Sequence, residues 1–254
     1  MLVDACLRFQ DIKDPVVCHD ILTQSVAFGV GRYFCLGVSP EDWSLVDMIA
    51  RDSERVVPFN GVHPWYAEGL KPGWDTRLER YVKKQMTGGI GEIGLDVAKD
   101  GDLAKQKEIF RRQFAMAERF VRPAVISCSP GASSDLLEVL RARRSPRTRF
   151  LVHAFSGSPE MLDALLKENA SISFSWESLR QKRAGTMELV RRVPLTRLFV
   201  ETGFPRSNEP KGSRPSAGKY FDCLRNAYGL AAEAYEIPVE IMEHAIWQNA
   251  EAFL

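Results

Sequence analysis

Short runs of apolar residues alternate along the chain with longer amphipathic segments. Eight of the apolar runs have the length of strands, and several are uninterrupted, which is typical of parallel strands that are covered on both faces. These runs are Leu2–Leu7, Arg32–Val38, Arg55–Val62, Gly89–Leu95, Ala124–Cys128, Phe150–Ala154, Ser171–Ser175 and Leu198–Glu201. The pattern therefore predicts eight buried strands.

The segments between and after these strands carry apolar residues at helical spacing. They are Pro15–Phe28, Glu41–Arg51, Gly73–Gln85, Ala104–Phe120, Ala132–Arg143, Pro159–Asn169, Gly185–Arg192, Tyr220–Tyr228 and Pro238–Phe253. Asp102, Ser134 and Ser158 are predicted as helix N-caps, and Pro238 suits a first helical turn. Strands alternating with helices predict a parallel sheet. At 254 residues, we expect one (β/α)8 TIM barrel over residues 1–254, because this length suits a closed barrel better than an open sheet.

Composition narrows the function only slightly. The net charge of +1 argues against a dedicated polycationic nucleic-acid binder. Five cysteines without a CxxC spacing indicate reduced thiols, as in a cytoplasmic protein. We expect no signal peptide and no membrane span, because no basic segment followed by an apolar run opens the chain and no long apolar stretch follows. No GxGxxG follows the first strand, which argues against a dinucleotide site.

Polar side chains cluster where the predicted strands end. Cys6 and Arg8 share one face of the first strand, Glu92 lies between glycines in the fourth, and His153 ends the sixth. In an α/β barrel these strand ends meet at the mouth, where catalytic residues lie. We predict Glu92 as a metal ligand or general base and His153 as a ligand or proton-transfer group. A guanidinium on an inner strand needs a partner, and for Arg8 we predict Glu92.

A second group of residues is predicted to bind substrate or an anion. Ser156 and Ser158 open a helix after His153 and offer hydroxyls and backbone N–H groups. His63 and Trp65 end the third strand, where Trp65 and Tyr66 either stack against a ligand or cover the core. Arg206 begins a basic loop that runs to Lys219 after the eighth strand. The basic run 141–149 joins a helix to a strand, so we expect a solvated loop at the opposite end of the barrel.

Four motifs, taken together, resemble the TatD family of metal-dependent deoxyribonucleases. They are Gly-Val-His-Pro at 61–64, Gly-Glu-Ile-Gly-Leu-Asp at 91–96, His-x-Phe-Ser-Gly-Ser at 153–158 and Glu-Thr-x-x-Pro at 201–205. Gln106, Phe110 and the closing Asn249–Leu254 segment also fit. The resemblance implies an amidohydrolase-like TIM barrel and phosphodiester hydrolysis with bound metal.

The resemblance also implies six metal ligands, of which this sequence keeps two. Transferred in chain order, the six positions are Cys6, Arg8, Glu92, Ser127, His153 and Gly203. The family has histidine, histidine, glutamate, histidine, histidine and aspartate there, so only Glu92 and His153 match. Two-metal hydrolysis needs enough ligands to hold both cations about 3.5–4 Å apart. The positive charge of Arg8 would moreover repel a cation, while serving as counter-ion to Glu92 and as an anion-binding group.

Two readings of the substituted site follow. Either it binds no metal, or Cys6, Glu92 and His153 hold one divalent ion, Zn, Mn or Mg, with the Cys6 thiol pKa lowered by Arg8. A Cys6–His153 nucleophile pair is a further hypothesis. The chain is then a TatD-related protein, weak or inactive as a nuclease, with an anion-binding pocket for phosphate or nucleic acid. The alternatives are an active one-metal DNase, and a nucleic-acid binder without catalysis that uses Trp65, Tyr66 and the basic loop.

Overall fold

The computed structural model describes residues 1–85, 87–98, 101–143, 147–205 and 215–254. Within this part of the chain, eight parallel strands follow one another around a sheet in sequence order. They are β1 (Leu2–Leu7), β2 (Val30–Leu36), β3 (Val56–Asn60), β4 (Gly89–Leu95), β5 (Ala124–Cys128), β6 (Phe150–Val152), β7 (Ser171–Ser175) and β8 (Leu198–Glu201).

The last strand returns to the first. Gly203 N donates to Cys6 O at 3.1 Å, and Arg8 N donates to Phe204 O at 3.0 Å, so the chain after β8 is bonded to the end of β1. The sheet therefore closes nearly completely, which confirms the predicted barrel. Five strands have the predicted bounds. β2 lies two residues earlier than predicted, and β3 and β6 are shorter because their last predicted residues turn into the loops that carry His63 and His153.

Helices cover the outside of the barrel. In the described chain they are α1 (Pro15–Gln24), α2 (Trp43–Asp52), α3 (Trp74–Lys84), α4 (Leu103–Phe120), α5 (Ser133–Arg141), α6 (Pro159–Lys167), α7 (Trp176–Leu179), α8 (Ala184–Arg192), α9 (Ala217–Tyr235) and α10 (Val239–Phe253). α7 was not predicted, since one turn is too short to show a helical period. None of the described helices is long and apolar enough to cross a membrane.

Two of the three predicted side-chain N-caps are present. Asp102 accepts from Ala104 N at 2.8 Å and Ser158 from Met161 N at 3.3 Å. Ser134 was predicted wrongly: α5 already begins at Ser133, so Ser134 lies inside the helix, and Ala132 precedes it without a side-chain cap. Pro238 directly precedes α10 rather than lying within its first turn.

The barrel interior is a packed aromatic layer below the mouth. The ring of Phe34 lies 5.2 Å from that of Phe59, 6.0 Å from Phe199 and 5.8 Å from Phe253, all as centroid distances. The side chain of Asn249 donates to Leu195 O at 2.8 Å and to Leu198 O at 2.9 Å, which fixes α10 against the segment that leads into β8. Because the interior is filled, chemistry is confined to the strand ends.

The basic run at 141–149 is partly neutralised. Arg141 and Arg143 both pair with Glu168, at 3.3 and 2.6 Å, and Arg149 donates to Ala252 O at 3.0 Å. Residues 144–146 lie outside the described residues. Arg141, Arg143 and Arg149 therefore contact acceptors of the fold itself, and the predicted solvated loop stays a prediction.

Candidate functional site

The ends of β1, β4, β6 and β8 bring one cluster of ionisable side chains to the mouth of the barrel. At its centre is Glu92, which is only 2% exposed. Its Oε1 lies 3.2 Å from His63 Nε2 and 3.0 Å from His153 Nε2. Burial by itself raises the pKa of Glu92, but the imidazoles of His153 and His63 hold it well below its ordinary value. Glu92 is therefore an ionised carboxylate inside the protein.

His153 lies between two carboxylates. Its Nε2 faces Glu92, and its Nδ1 lies 3.3 Å from Oε1 of Glu201. Burial alone lowers the pKa of His153, but the charges of Glu92 and Glu201 raise it well above its ordinary value. The imidazolium form is thus favoured, and it neutralises part of the charge of its two neighbours.

Glu201 was not among the predicted site residues, although the Glu-Thr-x-x-Pro motif contains it. Its Oε2 accepts from the Ser173 hydroxyl and, at 3.2 Å, from Ala154 N. This leaves Oε1 for His153. A carboxylate that ends an apolar strand, on the face shared with Phe199, is the signal that would have identified it.

His63 is oriented by its own loop. Its Nδ1 accepts from Trp65 N at 3.2 Å, so Nε2 carries the proton and donates towards Glu92. The side chain of Gln113 on α4 holds the preceding residue, since it accepts from Val62 N at 2.7 Å and donates to Val62 O at 3.1 Å. His63 was predicted to bind an anion, and in the structure its imidazole contacts the carboxylate of Glu92.

The predicted contact between Arg8 and Glu92 is wrong. Arg8 Nε lies 3.3 Å from Asp11 Oδ2, and Glu92 pairs with the two histidines instead. The chain turns through a short 3-10 helix at Phe9–Asp11 directly after Arg8, which carries Asp11 back beside the guanidinium. The charge of Glu92 still acts on Arg8 and helps to raise the arginine pKa. Arg8 lies at the mouth, with its side chain 30% exposed.

The prediction of a reactive Cys6 thiolate is also wrong. Burial, reinforced by the charge of Glu201, raises the pKa of the Cys6 thiol to about 12. The neighbouring His153 lowers it, but by less. The thiol is protonated at neutral pH, which removes the basis of the Cys6–His153 nucleophile hypothesis, since the thiolate is the reactive form.

Asp4 ties the first strand to the last below this cluster. It accepts hydrogen bonds from Thr202 N at 3.0 Å, Thr202 Oγ1 at 2.6 Å and Tyr220 Oη at 3.1 Å. These bonds from Thr202 lower the carboxyl pKa, but complete burial outweighs them and raises it to about 7. The carboxyl group of Asp4 is therefore protonated below a pH of about 7.

We expect Asp4→Asn to flatten the pH dependence of stability. An acid whose pKa rises from 3.8 unfolded to about 7 folded binds its proton more tightly in the native state. Its contribution is complete below pH 3.8 and declines as the pH rises to about 7. Urea denaturation at pH 4, 5.5 and 7 should show the wild-type advantage over Asp4→Asn shrinking with pH, and parallel curves would contradict this.

The other residues predicted to bind an anion are dispersed. Ser156 and Ser158 are exposed, and the Ser158 hydroxyl is engaged as the N-cap of α6. Trp65 is 52% exposed at the rim, where its indole N–H donates to Asp96 Oδ2 at 2.7 Å. Arg206 lies outside the described residues, with the rest of the basic loop up to residue 214. Among the described members of this predicted group, His63 is the one that contacts the central carboxylate.

Known proteins of similar sequence identify the family of this chain. The sequence matches the family of TatD-related DNases over residues 9–254. The chain belongs to the TatD-related DNase family. The human 3'-5' RNA nuclease TATDN2 is 30% identical over 149 residues, which are 57% of this chain but only 19% of that protein. The metal-dependent hydrolase TatD of Mycobacterium tuberculosis is 29% identical over 215 residues, 80% of this chain and 77% of that protein.

Solved structures agree on the fold of this TatD-family chain. The crystal structure of YjjV, a TatD homologue from Escherichia coli K12, superimposes with a TM-score of 0.86 at 20% identity, covering 100% of this chain and 97% of the other. At this identity the likeness concerns the barrel alone. The name of the Mycobacterium tuberculosis relative describes a metal-dependent hydrolase. A metal is therefore the group that the residues at the mouth would have to bind.

Four of the six positions at which the resemblance implies a metal ligand carry other residues in this TatD-family chain. Of the six positions that the resemblance implies, Cys6, Arg8, Ser127 and Gly203 lack the expected ligand. Gly203 has φ +60° and open space where a side chain would begin. Within the described residues, one group of three side chains could hold a single ion: Cys6, His153 and Glu201, whose ligand atoms lie within 4.8 Å of one another. It contains Glu201 where the sequence predicted Glu92.

Three buried polar atoms at the mouth have no hydrogen-bond partner among the described residues: Arg8 Nε, Glu92 Oε2 and His153 Nε2. Although His153 Nε2 is 3.0 Å from Glu92 Oε1, the angles are unsuitable for a hydrogen bond. Buried polar atoms without partners cost free energy. A bound group that offers both acceptors and donors would satisfy them.

Proposed function

We propose that this TatD-family protein binds a phosphate-bearing ligand at the barrel mouth without the family's two-metal centre, and that it is weak or inactive as a nuclease. The observation that carries the proposal is the position of His153, whose Nε2 lies 3.0 Å from Glu92 Oε1 and whose Nδ1 lies 3.3 Å from Glu201 Oε1. In the family, the position of Glu92 holds metal. Here protonated imidazole supplies the positive charge, so the protein neutralises its own carboxylate.

The side chain of Arg8 is the main reason to propose a phosphate as the ligand. Among the described residues it places a guanidinium at the mouth, and its Nε, which lies 3.3 Å from Asp11 Oδ2, makes no hydrogen bond there. Guanidinium groups bind phosphate oxygens through charge-assisted hydrogen bonds. The carboxylates of Asp11 and Glu92 are close to it and oppose an anion, so we expect modest affinity. The relative TATDN2, by its name, cleaves RNA, which favours a nucleic-acid terminus as the source of the phosphate.

A second candidate is an active hydrolase with one divalent metal at Cys6, His153 and Glu201. The closeness of these three ligand atoms favours it. It would require both the thiol, whose pKa is raised to about 12, and the imidazolium to lose protons. Metal affinity would then rise steeply with pH. The positive charge of Arg8 opposes such an ion.

Metal content distinguishes the two candidates. After incubation with Mn²⁺ or Zn²⁺ at pH 7 and desalting, we expect less than about a tenth of an equivalent, because four of the six ligand positions are substituted. Elemental analysis of wild type and Glu201→Gln measures this. One equivalent that is lost in Glu201→Gln, together with nuclease turnover that requires Glu92, would establish the one-metal hydrolase and overturn the proposal.

Phosphate binding is the direct test of the pocket. We expect Arg8→Ala to weaken the binding of inorganic phosphate by about 10- to 100-fold, since a hydrogen bond to a charged group contributes about 1.5–3 kcal/mol. Isothermal titration calorimetry in a metal-free buffer measures the change, with Arg32→Ala as a control arginine away from the mouth, beside Glu251. Equal affinity in wild type and Arg8→Ala would show that phosphate does not bind at this residue.

A further inference from the structure

Two surface cavities on one side of the barrel meet at Arg77. The rim cavity, of about 560 Å³, is lined by residues 39–41, 65–66, 69–74 and 77. The outer cavity, of about 600 Å³, lies between α2 and α3 and is lined by Ser44, Asp47, Met48, Arg51, Arg77, Arg80, Tyr81 and Lys84. Because Arg77 lines both, the two cavities adjoin at this residue, and together they are called the groove.

The rim cavity presents two exposed aromatic side chains, of which that of Trp65 is held in place. Trp65 is 52% exposed and Tyr66 is 45% exposed. The bond from the Trp65 indole to Asp96 and the edge-on packing of Trp65 against His63, at a centroid distance of 5.0 Å, hold the ring in place. Exposed aromatic rings of fixed orientation suit the stacking of unpaired bases. His63 in turn contacts Glu92, so this surface adjoins the central cluster.

The outer cavity carries an excess of positive charge. Four cationic side chains line it against the single carboxylate of Asp47. That carboxylate pairs with Arg51 and lies 4.0 Å from Lys84. The guanidinium of Arg77 lies over the ring of Trp43, 5.7 Å from its centroid, and Arg80 forms no ion pair with the rest of the described chain. This excess is notable in a chain whose net charge is +1.

The spacing of the cations suits a run of phosphates. Arg77, Arg80 and Lys84 lie on successive turns of α3, which begins near the mouth and runs away from it. Seven residues separate the first from the last, about 10 Å along the helix axis. Adjacent phosphates of one strand are about 3.4 Å apart along the axis of duplex DNA and farther apart in an extended single strand, so this length spans at least two phosphates. In the rim cavity, Lys71 adds a cation, and Glu41 is the acidic side chain that opposes it.

We propose that this groove binds a single strand of nucleic acid that leads away from the mouth. Bases stack on Trp65 and Tyr66, and the backbone phosphates lie along Arg77, Arg80 and Lys84. The inference rests on the proposed function, since it adds a track to a mouth that binds the terminal phosphate. A single strand fits better than an acidic peptide because the groove combines exposed aromatic rings near the mouth with regularly spaced cations beyond it.

The test compares strands of two lengths. Fluorescence anisotropy with labelled oligothymidylates of two and ten nucleotides, in EDTA, is measured for the wild type, Arg77→Glu/Arg80→Glu and the control Arg191→Glu. The control replaces an exposed arginine on α8, on the other side of the barrel. We expect the ten-nucleotide strand to bind at least about 10-fold more tightly than the two-nucleotide strand. The double variant should abolish this difference and reduce the salt slope by about 1.4, while the control keeps both.

Other results separate this inference from the proposed function. Equal affinity for the two lengths, or an equal loss in Arg191→Glu, would overturn the track. Competition by polyglutamate as effective as that by unlabelled oligothymidylate would also overturn it, in favour of an acidic protein segment. If Arg77→Glu/Arg80→Glu behaves as expected but the wild type does not bind inorganic phosphate, phosphate binding at the mouth is contradicted, while strand binding in the groove is supported. Thermal unfolding of the double variant checks that the loss of the Arg77–Trp43 contact leaves the fold intact.

Discussion

Replacement of His153 by alanine is expected to lower the free energy of unfolding by about 3–5 kcal/mol. The change removes the imidazolium that lies between Glu92 and Glu201, and leaves two buried carboxylates, 2% and 1% exposed, without their shared counter-charge. Loss of one partner from a buried ionic group is costly because the remaining charge cannot be solvated. Urea denaturation of wild type and variant at pH 6 measures the difference.

The matched control is the same replacement in a Glu92→Gln background. Because glutamine is neutral, loss of the imidazolium should cost clearly less there, and the difference gives the coupling between His153 and Glu92. An equal cost in both backgrounds would mean that His153 does not stabilise the fold through the charge of Glu92.

The pH dependence of this stabilisation has a definite sign. The folded pKa of His153 is raised above 6.5, so its contribution is complete below pH 6.5 and is lost as the pH rises through the folded value. The folded pKa of Glu92 is lowered below 4.5, so its contribution is present above pH 4.5 and is lost as the pH falls through the folded value. Both are complete between pH 4.5 and 6.5, which is why the measurement is made at pH 6.

Restoration of the four substituted ligand positions should create metal binding. We expect Cys6→His, Arg8→His, Ser127→His and Gly203→Asp together to raise the metal content from below about a tenth of an equivalent to about two. The change removes the opposing charge of Arg8 and supplies ligands around Glu92. Gly203 has a positive φ, +60°, a conformation that aspartate adopts more readily than most residues. Elemental analysis and single-strand nuclease turnover are the measurements.

Two variants make this result interpretable. Arg8→His alone should bind little metal, because three of the six positions remain substituted. Glu92→Ala in the restored background should lose the metal again, since it removes the carboxylate at the centre of the cluster. A restored variant that folds, by its thermal unfolding, and still binds no metal would show that the ligand positions transferred from the family do not meet in this barrel.

The barrel and the family were accessible from the sequence because both depend on order along the chain. Strands such as β4 are buried along their whole length, and five of the eight strands have the predicted bounds. Likewise, the substitutions at Cys6, Arg8, Ser127 and Gly203 are visible in the sequence as soon as the motifs are aligned. Strand periodicity also placed Glu92 and His153 at the mouth.

The partners of these residues depend on the tertiary structure. Periodicity tells which face of a strand a side chain occupies, but not which side chain it meets across the barrel. Glu201 reaches His153, which is 48 positions away, and His63 rather than Arg8 reaches Glu92. The thiol pKa of Cys6 follows from burial, which outweighs the nearby charges, and burial is a property of the closed barrel. The sequence by itself determined the architecture and the residues at the positions that the resemblance implies as ligands. Only the folded chain decided how the charged side chains are paired, because charge pairing depends on distances between strands that are far apart in sequence.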